Sequence, residues 1–177
     1  MTTLAVLTVG IVLAGCGGDS GGAAATGGPG TDTGTASTPA TSRDEVAAGV
    51  YFATTGGRLV RSERMVPADD PLAGALAELI AGPTTSDQLA AVPPGTRVLD
   101  AGVDGGVVTV DLSGEFETGY PPGGSAAELA IVAPLVHTAA EAADADAVRI
   151  TVEGRVPAPV GSQLDFREPL RPSDLPG

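Results

Sequence analysis

The chain has 177 residues, a formal net charge of −13 at pH 7, a single cysteine, a single histidine and no lysine. One cysteine rules out an intramolecular disulfide, so stability must come from packing, and the acidic balance argues against nucleic acid and against a polybasic membrane patch. Without lysine, and with one histidine, a nucleophile paired with a base is hard to assemble, and the lack of tryptophan leaves little for glycan stacking.

The chain opens on an apolar stretch, Leu4 to Ala14, too short for the roughly 20 residues that a membrane-spanning helix needs. It reads as the h-region of a signal peptide. It runs into Leu13-Ala14-Gly15-Cys16, which resembles the bacterial lipobox. That resemblance implies cleavage before Cys16, a diacylglycerol on its sulfur and an acylated new amine, together enough for stable anchoring. No Lys or Arg precedes Cys16, so the usual basic n-region would have to come from an upstream start. From Gly17 to Ser42 the chain is Gly, Thr, Ala, Ser and Pro, too poor in apolar surface to offset ordering. It reads as a flexible tether with a span of roughly 25 to 30 Å. Within it, Gly18-Asp19-Ser20-Gly21-Gly22 copies the motif around a serine-protease nucleophile, but the only histidine is His137, far downstream, where that family places it upstream. The expected organisation is a signal peptide over 1–15, Cys16 and the linker over 16–48, a folded domain over 49–171 and a tail over 172–177.

Val50-Tyr51-Phe52, a glycine turn at Gly56-Gly57 and the alternating run Leu59 to Val66 predict two strands. Leu59, Arg61, Glu63 and Met65 share one face of the second, and Val60, Ser62, Arg64 and Val66 the other. Asp69 or Asp70 caps a helix with Pro71 in its first turn, and Gly82-Pro83 stops it. Leu72, Ala75, Leu76, Leu79 and Ile80 give it a core-facing stripe. Ser86 to Val92 reads as a further helical turn. Thr96 to Val103 and Val107 to Leu112 flank Asp104-Gly105-Gly106, the strongest hairpin signal in the chain. After a Gly/Pro-rich loop, Ser125-Ala126-Ala127-Glu128 reads as a capping box opening a second helix, interrupted at Pro134, with Leu129, Val132, Ala133 and Val136 as its stripe. Ala147 to Glu153 is a strand, and Arg155 to Val160 a possible short edge strand. The fold class is α/β in the α+β sense: a two-layer sandwich with two helices on one face of a mixed sheet.

Val50-Tyr51-Phe52, Leu79-Ile80-Ala81-Gly82-Pro83-Thr84, Pro93-Pro94-Gly95-Thr96, Val108-Thr109-Val110-Asp111-Leu112-Ser113 and Val148 through Val152-Glu153-Gly154 together resemble the GerMN domain of sporulation and spore germination proteins. Pro134 and His137 stand where that family more often has a glutamine and an aromatic ring. The resemblance implies a fold similar to the ring-building domains of secretion machines, an extracytoplasmic assembly role, no catalysis and no cofactor. It implies partners among cell-envelope proteins or further copies of the chain.

The residues themselves leave two classes open. One is an interaction or scaffolding domain held to the outer face of the cell membrane by lipid on Cys16, with Arg61 and Arg64 on a sheet edge meeting an acidic patch of Asp111, Glu115 and Glu117. The alternative is a ligand-binding or hydrolytic lipoprotein acting on cell-wall material, for which Arg64, Asp111, Tyr120 and His137 are the available polar groups. His137 reads as a satisfied, partly buried side chain, and Asp144 and Asp146 lack the spaced ligands of a calcium loop. The anchor is directly testable. Cys16→Ala abolishes incorporation of a radiolabelled fatty acid and leaves the protein unprocessed or free of the membrane; label persisting in that variant contradicts the assignment.

Overall fold

The structure, a computed structural model, describes residues 44–119, 124–158 and 164–175. The leader, Cys16, the Gly/Thr linker up to residue 43 and Tyr120 lie outside the described residues.

Strand β1, Glu45–Ala53, begins inside the stretch that composition assigns to the linker. It pairs antiparallel with β2, Leu59–Pro67, in an unbroken register from Glu45↔Pro67 to Ala53↔Leu59. Gly57, at φ 78°, makes the turn between them. Helix α1, Pro71–Ala81, starts where its cap chemistry places it: Asp70 Oδ1 accepts from the Ala73 N–H at 3.0 Å, Pro71 occupies the first turn and Gly82, at φ 93°, ends it. Leu72, Ala75, Leu76 and Leu79 are buried, as their spacing predicts. Gly74 lets the helix close on β2, since a Cβ there would stand 2.7 Å from Val66 Cβ.

The 86–92 segment forms no helix. Gln88 bridges Thr54 at the end of β1, with Leu89 N–H donating to the Ala53 carbonyl at 2.7 Å and Thr55 N–H to that of Asp87 at 3.0 Å. The backbone bonds that a helical turn would have made are satisfied by the neighbouring strand instead. Strands β3, Val98–Asp104, and β4, Val107–Leu112, form the predicted hairpin, with Gly105 at φ 56° and Gly106 at φ 79° supplying the two left-handed residues of a primed turn. A bulge between Val98 and Asp100 breaks the register near the start of β3. Val108, Val110 and Leu112 are fully buried.

A four-residue helix α2, Glu115–Thr118, then inserts Phe116 into the core where the sequence predicts only a loop. Helix α3, Gly124–Ala143, contains Ser125 within its first turn instead of before it. It also runs on through Pro134, which is itself buried. Its end is a Schellman motif: Asp144 is left-handed at φ 49°, its N–H donates to the Glu141 carbonyl at 3.3 Å, and the Ala145 N–H reaches that of Ala140 at 3.0 Å. Asp144 is therefore a helix cap. Strand β5, Ala147–Val152, runs parallel to β4 from Val107↔Ala147 to Leu112↔Val152. Arg155 makes one bridge back to Val152, and no strand follows it among the described residues. Leu170 closes the outer side of β5 through two 2.8 Å bonds with Val148.

The architecture is mixed α+β with helices packed on strands, as expected, but the strands divide into a two-stranded sheet, β1-β2, and a three-stranded sheet, β3-β4-β5. One reason is a long-range contact. Tyr51 on β1 gives its N–H to Thr138 Oγ1 of α3 at 2.9 Å, so a helix and not another strand satisfies that backbone donor. Helices α1 and α3 pack against each other; α1 contacts β1, β2 and β3, and α3 contacts β1, β4 and β5. The core between them includes Phe52, Leu76, Leu79, Leu135 and Ile150. Truncation of Leu79, which is fully buried, to alanine costs about 2 to 5 kcal/mol, while truncation of the exposed Glu63 stays within about 0.5 kcal/mol. Equal losses in thermal or urea unfolding of the two variants contradict this packing.

Candidate functional site

Two polar constellations stand out. The first joins the N-terminal hairpin to α3. Tyr51 and Arg61 are cross-strand partners in β1 and β2. Both converge on Glu141 of α3: the Tyr51 hydroxyl donates to Oε2 at 2.6 Å, and Arg61 donates from Nη2 to Oε1 at 2.7 Å and from Nε at 2.9 Å. The carboxylate lies over Gly49, where any Cβ would collide with Glu141 and Arg61. The Arg61 guanidinium, helped by the Tyr51 hydroxyl, holds the Glu141 carboxyl below its ordinary range. Burial and the bond to Glu141 push the Tyr51 phenol up. One turn earlier on α3, His137 meets the Tyr51 ring with centroids 5.2 Å apart. Its Nε2 is buried without a hydrogen-bond partner, so His137 is not the satisfied side chain the sequence suggests, and burial lowers its pKa.

The second constellation lies where β4, α2 and β5 end. Arg97, Glu115, Glu117, Glu153 and Arg155 line a depression of about 320 Å³. Glu117 is gripped by both Arg155 amino groups, at 3.0 and 2.5 Å, and by the Ala158 N–H at 2.8 Å, and Arg155 draws its pKa down. Glu115 pairs more loosely with Arg97 at 3.9 Å. Asp111 sits beside this group but is an internal anchor: its Oδ1 accepts from Thr151 Oγ1 at 2.7 Å and from the Gly154 N–H at 2.8 Å, fixing the turn after β5.

The structure thus brings Asp111, Glu115 and Glu117 into one region and separates the two arginines. Strand alternation places Arg61 outward, while Arg64 turns inward, its side chain 16% exposed, 3.8 Å from Glu78 and over the Phe52 ring at 5.9 Å. Arg61, Arg64 and Glu117 each have an intramolecular partner of opposite charge. Glu141 and Arg155, the partners that organise both constellations, are residues that sequence reasoning missed. Glu141 had one signal, its position four residues after His137 on the same helix. Among the described residues, no group of three His, Cys, Asp or Glu side chains is placed to hold a metal ion.

A profile for the Germane family, described as sporulation and spore germination, matches residues 49–157, well over half of the chain. The chain belongs to the Germane family. Solved structures share the fold of its Germane domain. The tandem GerMN domains of the sporulation protein GerM from Bacillus subtilis match with a TM-score of 0.61 at 21% identity, over 75% of this chain and 48% of that one, so the chain spans about half the length of the tandem. The first GerMN domain of the same protein matches with a TM-score of 0.53 at 21% identity, over 70% of this chain and 99% of that one. A chain from Clostridium perfringens described as a candidate lipoprotein matches with a TM-score of 0.50 at 20% identity, over 74% of this chain and 90% of that one. No curated protein matches the chain.

The lone histidine gives the Germane domain a measurable pH signature. Because burial lowers the folded pKa of His137, the unfolded chain binds more protons, and stability falls as pH drops through about 6.5 and below. Glu141, also lowered on folding, adds a second loss below about pH 4.5. In His137→Phe, which keeps the ring against Tyr51, the melting temperature changes less between about pH 8 and 5.5 than in the parent. An identical slope in parent and variant contradicts the buried, unpaired imidazole.

Proposed function

We propose that the chain is an extracytoplasmic lipoprotein, anchored through lipid on Cys16, whose Germane domain acts without catalysis as a protein-interaction and assembly module in a cell-envelope complex. The observation that carries this reading is the Germane match across residues 49–157, a family described by sporulation and spore germination. The lipobox-like Leu13-Ala14-Gly15-Cys16, followed by a long polar linker, supports the anchor, and the Clostridium perfringens neighbour described as a candidate lipoprotein is consistent with it. The chemistry of the two polar constellations also favours this reading. Glu141 and Glu117, at the centre of the two, are neutralised by Arg61 and Arg155 of the same chain, an arrangement suited to holding elements together more than to acting on a substrate.

A tethered module has a distinct energetic position. Confinement to a surface raises its local concentration, so contacts too weak to persist in solution suffice for assembly. Envelope complexes built this way depend on the anchor as much as on the interface.

The test is photo-crosslinking on intact cells, with a photoreactive residue at the exposed positions Val46, Met65, Leu89 or Val156. Protein–protein adducts form from at least one position and fall several-fold in the Cys16→Ala background. Clean absence of adducts from all four, with the protein folded and abundant, contradicts the interaction role.

A further inference from the structure

The edges of the sheets are treated unequally. Along β1, α3 takes the Tyr51 N–H through Thr138, and along β5, Leu170 pairs with Val148. The outer edge of β3 has no such cover among the described residues. Hairpin geometry identifies which of its groups are open. Asp104 and Val107 flank a two-residue turn and form a hydrogen-bonded pair, so alternation along the ladder turns the N–H and C=O of Val103 and Ala101 away from β4. Their side chains lie on the same face of the sheet as those of their cross-strand partners Val110 and Val108, and Ala101 on that face lines a groove with Ala73, Ala77 and Ile80 of α1.

Next to this open ladder is a groove of about 530 Å³ between β3 and α1. Its floor is small and aliphatic, from Ala73, Ala77 and Ile80 of the helix and Val98 and Ala101 of the strand. Its rim is acidic. Asp70 and Asp100 line it, Asp104 ends the strand, and Arg97, the cation among its described lining residues, stands 3.9 Å from Glu115. Two large apolar side chains on the strand, Leu99 and Val103, are about half exposed, at 50% and 52%.

We propose that the β3 edge and this groove accept an extended peptide segment of another protein, one that carries aliphatic residues at alternate positions and Lys or Arg at its flanks. Resting on the interaction role proposed above, this names where and how the partner binds. The added strand satisfies the backbone groups of Ala101 and Val103, its inward side chains fill the apolar floor, and its basic flanks meet Asp70, Asp100 and Asp104. A second copy of β3 is a poor occupant, because antiparallel pairing would bring Asp100 and Asp104 of both copies together across one ladder. A bulge and two aspartates on this strand are also the devices that guard an unused edge against unwanted pairing. The experiment therefore has to separate a guarded edge from a receptive one.

The probe is a capped synthetic peptide, Lys-Thr-Val-Thr-Ile-Thr-Lys, mixed with the full chain and followed by hydrogen–deuterium exchange. Amide exchange across 99–104 slows at least several-fold on saturation, and the effect weakens with added salt as the charged flanks are screened. Val103→Pro removes an outward N–H that β4 does not use, a substitution edge strands tolerate, and it lowers peptide affinity at least tenfold. Asp100→Lys provides an independent variant: it weakens the Lys-flanked peptide several-fold and improves binding of the same peptide with Glu flanks. No slowing at millimolar peptide, slowing confined to another region, or indifference to Asp100→Lys overturns the proposal. Such a result, with crosslinks still forming in cells from positions away from β3, overturns this site alone and leaves the interaction role standing.

Discussion

Among the described residues no ladder joins the two sheets, and the helical layer that packs over both holds them together. Helix α1 lies against β1, β2 and β3, helix α3 against β1, β4 and β5, and the two helices pack on each other. The hydrophobic contribution is the main term here, with fully buried Leu76, Leu79, Val132, Leu135 and Val136 facing Val50, Phe52, Val110 and Ile150. Each such side chain contributes about 1.5 to 3 kcal/mol on leaving water. Direction comes from polar contacts. The Tyr51 N–H to Thr138 bond and the Glu141 carboxylate under Arg61 and Tyr51 fix where along β1 the helix sits, and Gly49 leaves the space that this position requires.

This division of labour explains how much of the fold the sequence reveals. Elements with one dominant local signal are legible. The Asp70 cap, Pro71 and the Leu72 to Leu79 stripe define α1, the double glycine at 105 and 106 defines the β3-β4 turn, and alternation in β4 assigns Val108 and Val110 to the core. Elements fixed by distant partners are not. Helix α2 is four residues long, too short for any periodicity to show, and exists to bury Phe116. Segment 86–92 has the composition of a helical turn but is claimed by β1. The split into two sheets depends on α3 taking the edge of β1, a contact 87 residues apart in sequence.

The candidate site was legible to a lesser degree, for a related reason. Charged residues announce themselves in a sequence, but their partners do not. Alternation puts Arg61 and Arg64 on opposite faces of one strand, but only the packed fold decides which face is outward and gives Glu141 to one and Glu78 and Phe52 to the other. Asp111 looks like part of an acidic patch and is a turn anchor for Gly154. Glu117 shares that region and is held by Arg155, a residue whose role is set only once β5 returns beside β4. The open edge of β3 is likewise invisible before the strand order is known, because it depends on which neighbour each strand lacks.

We propose that the Germane domain sits on a membrane tether, as an assembly module whose two polar constellations hold its own elements together. On that reading, partners are recognised through backbone edges and apolar grooves with acidic rims, and the anchor supplies the local concentration that makes modest interfaces sufficient. Native mass spectrometry of the protein extracted from its own membranes in mild detergent tests this most directly. The predicted result is a chain that begins at Cys16, carries the added mass of its acyl groups and is found in complexes with other envelope proteins. A monomer free of lipid, or one carrying only a small cell-wall fragment, would contradict it.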